Sequence, residues 1–218
     1  MFLRRLFLAL CFFTPLARAA EMPDLVSPEN RIVIGENDAP WRELAAELRA
    51  HGNVTAPFTE NRYLPFKKIP VVFTGRMRLS AEGALSLQYE SPEKQLMLVD
   101  ARGVMLRDSR GRTREVPSDP RANAATTALL HVMRFDLDAL SRNFELYGRR
   151  DGDTWQLVFD PRPGELSRVL NRLVVTGKDA HVKQLEMRKS ALQGIVIVIG
   201  EADTQVEFSD EERREFFR

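Results

Sequence analysis

The chain has 218 residues, with 32 Lys and Arg against 31 Asp and Glu, a formal net charge of +1 and 44% hydrophobic residues. So balanced a chain lacks the basic footprint that nucleic acid requires, and its single cysteine, Cys11, excludes a disulfide framework or a paired-cysteine metal site. The length suffices for a core that needs no cross-link.

Residues 1–19 have the order of a secretory leader: Arg4-Arg5, an apolar run over 6–13, then Ala17-Arg18-Ala19 at the cleavage positions. The run is shorter than the roughly 20 residues a bilayer span needs. Bulky Leu10 before Cys11 argues against lipid attachment there. Loss of Arg4, Arg5 and Arg18 turns 32 basic residues into 29 against 31 acidic, a charge of −2. The expectation is one exported domain over 20–218, located in the periplasm and free of cysteine.

Residues 21–37 are rich in Pro, Asn, Glu and Asp around one apolar patch, Ile32-Val-Ile34. An N-terminal helix follows: Asp38 as cap, Pro40 in the first turn, and Trp41, Leu44, Ala45 and Leu48 at helical spacing up to His51-Gly52. Asn53-Val-Thr55 matches a glycosylation acceptor, which matters only in a eukaryotic secretory route. Residues 58–63 alternate, bracketed by Pro57, Pro65 and Pro70, which predicts an edge or entry strand.

Residues 71–108 predict a meander. Phe73, Met77 and Leu79, with Gly75, lie on one face of a two-residue period, and Thr74, Arg76, Arg78 and Ser80 on the other. Leu85, Leu87 and Tyr89 alternate with Ser86, Gln88 and Glu90, and two short runs, 95–100 and 104–108, complete it. Connections this short make the neighbours antiparallel. The arginine-rich turn at 107–114 is a solvated hairpin tip, with a docking patch for an acidic partner as the alternative.

Over 120–143 the period becomes helical. Leu129, Met133, Leu137 and Leu140 form one stripe, and Asp136 and Asp138 divide it into two helices. This is the helical material placed to lie across the meander's apolar face, a lid over about 121–143. Strands resume with Trp155, Leu157 and Phe159, then Leu173 to Thr176, then Leu185 and Met187. Ile195-Val-Ile-Val-Ile199 has no polar face and predicts burial on both sides. Ser209-Asp-Glu-Glu212 is a capping box before a short terminal helix ending in Phe216-Phe217.

The chemistry-bearing residues do not assemble into a catalytic set. His51, His131 and His181 are scattered, so neither a metal site nor a cofactor is expected. Ser91-Pro-Glu-Lys94 matches S-x-x-K, but in a turn and without its companion segments. Asp136 and Asp138, two apart on a helix, do not face each other. A non-enzyme is expected. A lipid hydrolase would need a nucleophile and base that cannot be paired here. The space between sheet face and helix is a core if side chains fill it, and a pocket for an apolar ligand if they do not.

The order of landmarks resembles the LolA family of periplasmic lipoprotein carriers. It comprises the first helix, Phe58-Thr59 followed by Glu60 and Arg62, Gly75 and Leu79 in one strand, and Pro92 before the next. Val99-Asp100-Ala-Arg-Gly103, Leu129-Leu130 and Trp155-Gln-Leu-Val-Phe-Asp-Pro161 continue it. The resemblance spans most of 38–217. It implies a mainly β, α+β fold: an incomplete, strongly curved antiparallel β-barrel, or half-barrel, closed by a helical lid. It implies an acyl cavity lined by Met77, Leu79, Leu85, Leu87, Tyr89, Leu96 and Leu98, with Leu129, Met133 and Leu137 beneath the lid. Implied partners are a lipoprotein or other acylated cargo, an inner-membrane donor protein and an outer-membrane acceptor protein, with the carrier a monomer. The chain departs from the family at Ser80-Ala81-Glu82-Gly83, where an Arg-Pro pair helps latch the lid. An envelope sensor or protein-interaction module on the same fold, without transport, is the second reading.

Overall fold

A computed structural model describes residues 25–117 and 119–218; the leader expected over 1–19 lies outside them. In chain order the elements are β1 (Arg31–Ile32), α1 (Ala39–Ala50), β2 (Val54–Tyr63), β3 (Val71–Leu79), β4 (Leu85–Ser91), β5 (Gln95–Asp100), β6 (Gly103–Asp108), β7 (Thr113–Glu115), α2 (Pro120–Met133), α3 (Leu137–Asn143), β8 (Phe144–Asp151), β9 (Thr154–Pro161), β10 (Arg172–Lys178), β11 (His181–Ser190), β12 (Gln193–Ile199) and α4 (Asp210–Phe216). The described strands form one antiparallel sheet of twelve, ordered β1-β8-β9-β10-β11-β12-β2-β3-β4-β5-β6-β7.

Two meanders, β2 to β7 and β8 to β12, meet at the β12–β2 seam. The helical connection α2–α3 joins them and crosses back over one face. The edges are very short strands, β1 with two residues and β7 with three, which leaves little free ladder for another chain to pair with. No pairing joins β1 to β7. The architecture is therefore mainly β, α+β, as expected, but the strongly curved half-barrel is corrected. The sheet is neither closed nor strongly curled, because both meanders run outward from one seam and leave their ends apart.

Register assigns the faces, since directly paired residues point to the same side. Phe58 pairs Gly75, Met77 pairs Leu87, Leu87 pairs Met97, Leu185 pairs Ile197, and Leu173 pairs Phe159. These residues build one inner face, and α1, α2 and α3 bury their apolar stripes on the same core: Trp41, Leu44, Leu130, Val132, Leu137 and Leu140. Gly75 is required there, because a Cβ would sit 2.0 Å from the Gln88 carbonyl oxygen.

Two strand expectations change. Residues 58–63 belong to β2, a central strand rather than an edge. Pro57 is tolerated because its backbone faces residues 200–203, beyond the end of β12, where its carbonyl accepts from Gly200 N at 2.9 Å. β12 is buried on one face only, with Ile197 inside and Val198 43% exposed, since the outer side of that strand is open to solvent. The terminal helix forms as read, with the Ser209–Glu212 capping box in place. Asp38 stands at the N-cap of α1, but its side chain makes no capping bond and accepts from Arg42 Nε at 2.6 Å instead.

Candidate functional site

A chamber of about 120 Å³ lies between the sheet's inner face and α2. Met77, Leu85, Leu87 and Tyr89 line it from β3 and β4, and Leu129 and Met133 from α2. These six belong to the ten lining residues the resemblance implies. A groove of about 310 Å³ adjoins it, and the two share Arg62, Leu129, Met187 and Ile195. The groove runs between α2 and β10–β12 over Leu173, Val169 and Leu170, and its rim carries Tyr63, Arg188 and Lys189. On the helix side it meets the small residues Ala125 and Ala128.

Four of the expected lining residues lie elsewhere. Leu79 and Leu137 line a polar hollow of about 510 Å³ between α1, the β3–β4 turn and the α2–α3 junction. Leu96 and Leu98 face away from the chamber: the pairs Leu85 with Val99 and Leu87 with Met97 put the odd-numbered residues of β5 inside. Leu96 and Leu98 instead pack against Phe216 of α4 on the outer face, where the Arg78 guanidinium lies 3.5 Å from the Phe216 ring centre. Arg218 holds this cover in place, its Nε and Nη2 donating to Asp100 at 2.9 and 3.0 Å. Residues 96–99 are apolar on both faces, so periodicity alone gives no sign of the inward side. The chamber residues missed in this way are Met97 and Val99, together with Leu185, Met187, Ile195, Ile197 and Ile199 from the second meander.

One wall of the chamber is ionic. Glu60 pairs Phe73 across the ladder and so points inward, where it is 2% exposed. Tyr89 Oη donates to its Oε2 at 2.6 Å, and Arg62 Nε donates to its Oε1. A buried carboxylate needs such partners, because an unpaired charge in this setting costs several kcal/mol. Burial first, and then the neighbouring Glu60 carboxylate, push the Tyr89 phenol well above its ordinary value. Burial acts to lower Arg62, but Glu60 outweighs it and the net direction is upward. The Arg62 guanidinium also lies 4.1 Å from the Phe73 ring centre, and half-exposed it stands between chamber and groove.

The α2–α3 junction is tied down by arginines, though not from the β3–β4 turn. Arg134, which caps α2, donates through Nη2 to the Glu82 carbonyl at 2.5 Å. It lies against Gly83, where a Cβ would be 2.1 Å from Arg134 Nε. Arg49 Nη1 donates to the Phe135 carbonyl at 2.9 Å. Arg42 grips Asp138 in a two-pronged pair at 2.9 and 2.7 Å and holds that carboxyl below its usual range. Asp136 caps α3, accepting from Ala139 N at 3.0 Å.

His131 lies in the last turn of α2, its Nδ1 3.6 Å from Asp136 Oδ2. The tilted rings of His51 and His181 lie with centres 5.3 Å apart, and burial, then the charge of His181, lowers the His51 value. Among the described residues no group of three or more His, Cys, Asp or Glu is placed to hold a metal ion, and no helix is long and apolar enough to cross a membrane.

Neither a family model nor a curated protein matches the chain. Solved structures similar to it include a DUF1329 family protein from Desulfovibrio piger, at 10% identity and a TM-score of 0.46, covering 77% of this chain and 93% of that one. A LolA superfamily protein from Nitrosomonas europaea is similar at 6% identity and a TM-score of 0.41, over 78% and 95% of the two chains. The Pseudomonas aeruginosa MucA/MucB complex is similar at 12% identity and a TM-score of 0.46, over 79% of this chain and 59% of that one. The structural neighbours are thus LolA-superfamily and MucB proteins at low identity.

Proposed function

We propose that the chain is a periplasmic binding protein for acyl chains, holding the tail of a lipoprotein or other lipidated molecule beneath α2 and carrying it toward the outer membrane. The observation that supports this is the continuity of groove and chamber, two apolar hollows that share Arg62, Leu129, Met187 and Ile195 under one helix. The groove, at about 310 Å³, reaches the lower end of the size that ligand sites have. Each methylene moved from water into it is worth about 0.8 kcal/mol, so a hydrocarbon tail is the ligand class it favours.

The chamber's 120 Å³ is small, and a tail lengthens it by moving α2 outward. That helix is suited to the motion. Its first half, with Ala122, Ala124 and Ala125, buries little apolar area and is displaced at low cost, whereas the junction at its C-terminal end is pinned by Arg134, Arg49 and Arg42. The lid therefore hinges at its arginine-bound end and opens at the groove.

Titration with a fluorescent fatty acid, followed by displacement with an unlabelled one, tests this. Saturable uptake that is lost in Leu129→Trp, where the indole fills the shared space, is expected. A wild-type chain that takes up no probe would overturn the reading.

A further inference from the structure

Beyond the cargo hollow, the structure holds a surface whose chemistry is that of a membrane contact. Among the described residues the three most exposed large apolar side chains are Phe66, at 80%, Ile69, at 76%, and Leu192, at 68%; Val72, Val198 and Tyr63 follow at 49, 43 and 37%. Phe66 and Ile69 stand on the β2–β3 loop, and Leu192 on the β11–β12 turn. The pairing of Tyr63 with Gly194 and of Arg62 with Ile195 makes these two tips neighbours at one end of the sheet. Exposed Lys67 and Lys68 separate Phe66 from Ile69, and exposed Lys189 precedes the turn of Leu192. None of the three lysines forms an ion pair among the described residues. The adjoining β4–β5 turn adds one charge of each sign, Glu93 and Lys94, so the patch keeps its positive balance.

We infer that these two tips dock the protein on an anionic lipid surface, Phe66, Ile69 and Leu192 entering the acyl boundary while Lys67, Lys68 and Lys189 meet the headgroups. Apolar tips interleaved with lysine are the composition of an interfacial contact, each lysine adding about fivefold to binding on anionic lipid. A protein groove would cover the apolar tips but would leave three unpaired lysines to be matched one by one. The position also has a consequence. Tyr63, Leu64 and Lys189 belong both to these tips or their stems and to the groove rim, so docking sets the mouth of the hollow at the headgroup layer. A tail would then pass from bilayer to groove without crossing water. The docking goes beyond the proposed cargo binding and does not depend on it.

The test is sedimentation with vesicles of phosphatidylcholine and phosphatidylglycerol, against vesicles of phosphatidylcholine alone, using the chain as recovered after export. The expected result is binding to the anionic vesicles that weakens with salt. It falls at least tenfold in Phe66→Asp/Ile69→Asp/Leu192→Asp and by a similar factor in Lys67→Glu/Lys68→Glu, neither of which touches the groove lining. All five side chains are exposed, so thermal melts of both variants should match wild type and exclude misfolding as the cause. Fatty-acid uptake from solution should persist in both, which separates loss of docking from loss of the hollow. Absence of wild-type binding to anionic vesicles, or unchanged binding in either variant, would overturn the proposal; in the first case a protein partner remains to cover the tips.

Discussion

Tyr89→Phe probes the ionic wall of the chamber. The substitution removes one oxygen and keeps the ring, so the edge-on contacts with Phe58 and Phe73, at 5.3 and 5.8 Å between centres, persist. What is lost is the 2.6 Å bond to Glu60 Oε2. A hydrogen bond to a charged group is worth about 1.5–3 kcal/mol, and here the carboxylate oxygen is left buried without a donor. The upper part of that range, about 2–3 kcal/mol, is expected, which for a chain of this size lowers the melting temperature by about 4–12 °C. Linkage adds a second signature. The Tyr89 phenol is raised in the folded state, so its contribution is fully present below its unfolded value of about 10 and is lost as pH rises above that. The gap between wild type and variant should therefore narrow in alkali. Urea melts of Tyr89→Phe, Glu60→Gln and the double variant give the coupling directly. A coupling below about 0.5 kcal/mol, or an unchanged melting temperature, would refute the reasoning.

Other consequences follow from the same register. Leu87→Glu puts a charge on the chamber wall and should abolish fatty-acid uptake, while Arg76→Glu on the exposed outer face should leave it within twofold; equal effects would mean that the faces are misassigned. Leu98→Ala should cost about 2–5 kcal/mol in urea melts through its packing under α4, yet leave probe affinity unchanged. Arg134→Ala frees the α2–α3 junction from the Glu82 carbonyl and should speed probe entry and exit in stopped-flow mixing; unchanged rates would exclude a latch. Burial raises Asp100, but its bonds to Arg218 and Arg102 outweigh this and leave the carboxyl depressed. Its stabilisation is thus present above an unfolded value of about 3.9 and lost as pH falls through the lower folded value. The stability gap between wild type and Asp100→Asn should shrink below about pH 4 in acid titrations followed by circular dichroism.

Alternation carried far in this chain where one face is polar. In β3 and β4 the arginines, serines and glutamine leave a single possible inward set, and Met77, Leu85, Leu87 and Tyr89 are found on it. The helical stripe at Leu129 and Met133 was legible for the same reason. β5 and β12 lack a polar face, so their inward sides depend on pairing with a neighbour, which is a long-range fact. Leu96 and Leu98 were misplaced on that account, and the depth of Ile195 to Ile199 was overestimated. Glu60 and Arg62 read as an ordinary polar alternation. Their role in the chamber wall appears once β2 is central rather than an edge, a placement set by the β12–β2 seam between residues well over a hundred positions apart. The sheet's openness is likewise a property of how the two meanders join rather than of any local pattern.

The account rests on an apolar hollow that admits a hydrocarbon tail. Native mass spectrometry of the protein recovered from the cell envelope reads this directly. It should reveal a fraction of chains carrying the added mass of an acylated molecule, removed by excess fatty acid and missing in a folded Leu129→Trp variant. A spectrum of bare protein that stays bare when fatty acid is supplied would contradict the account.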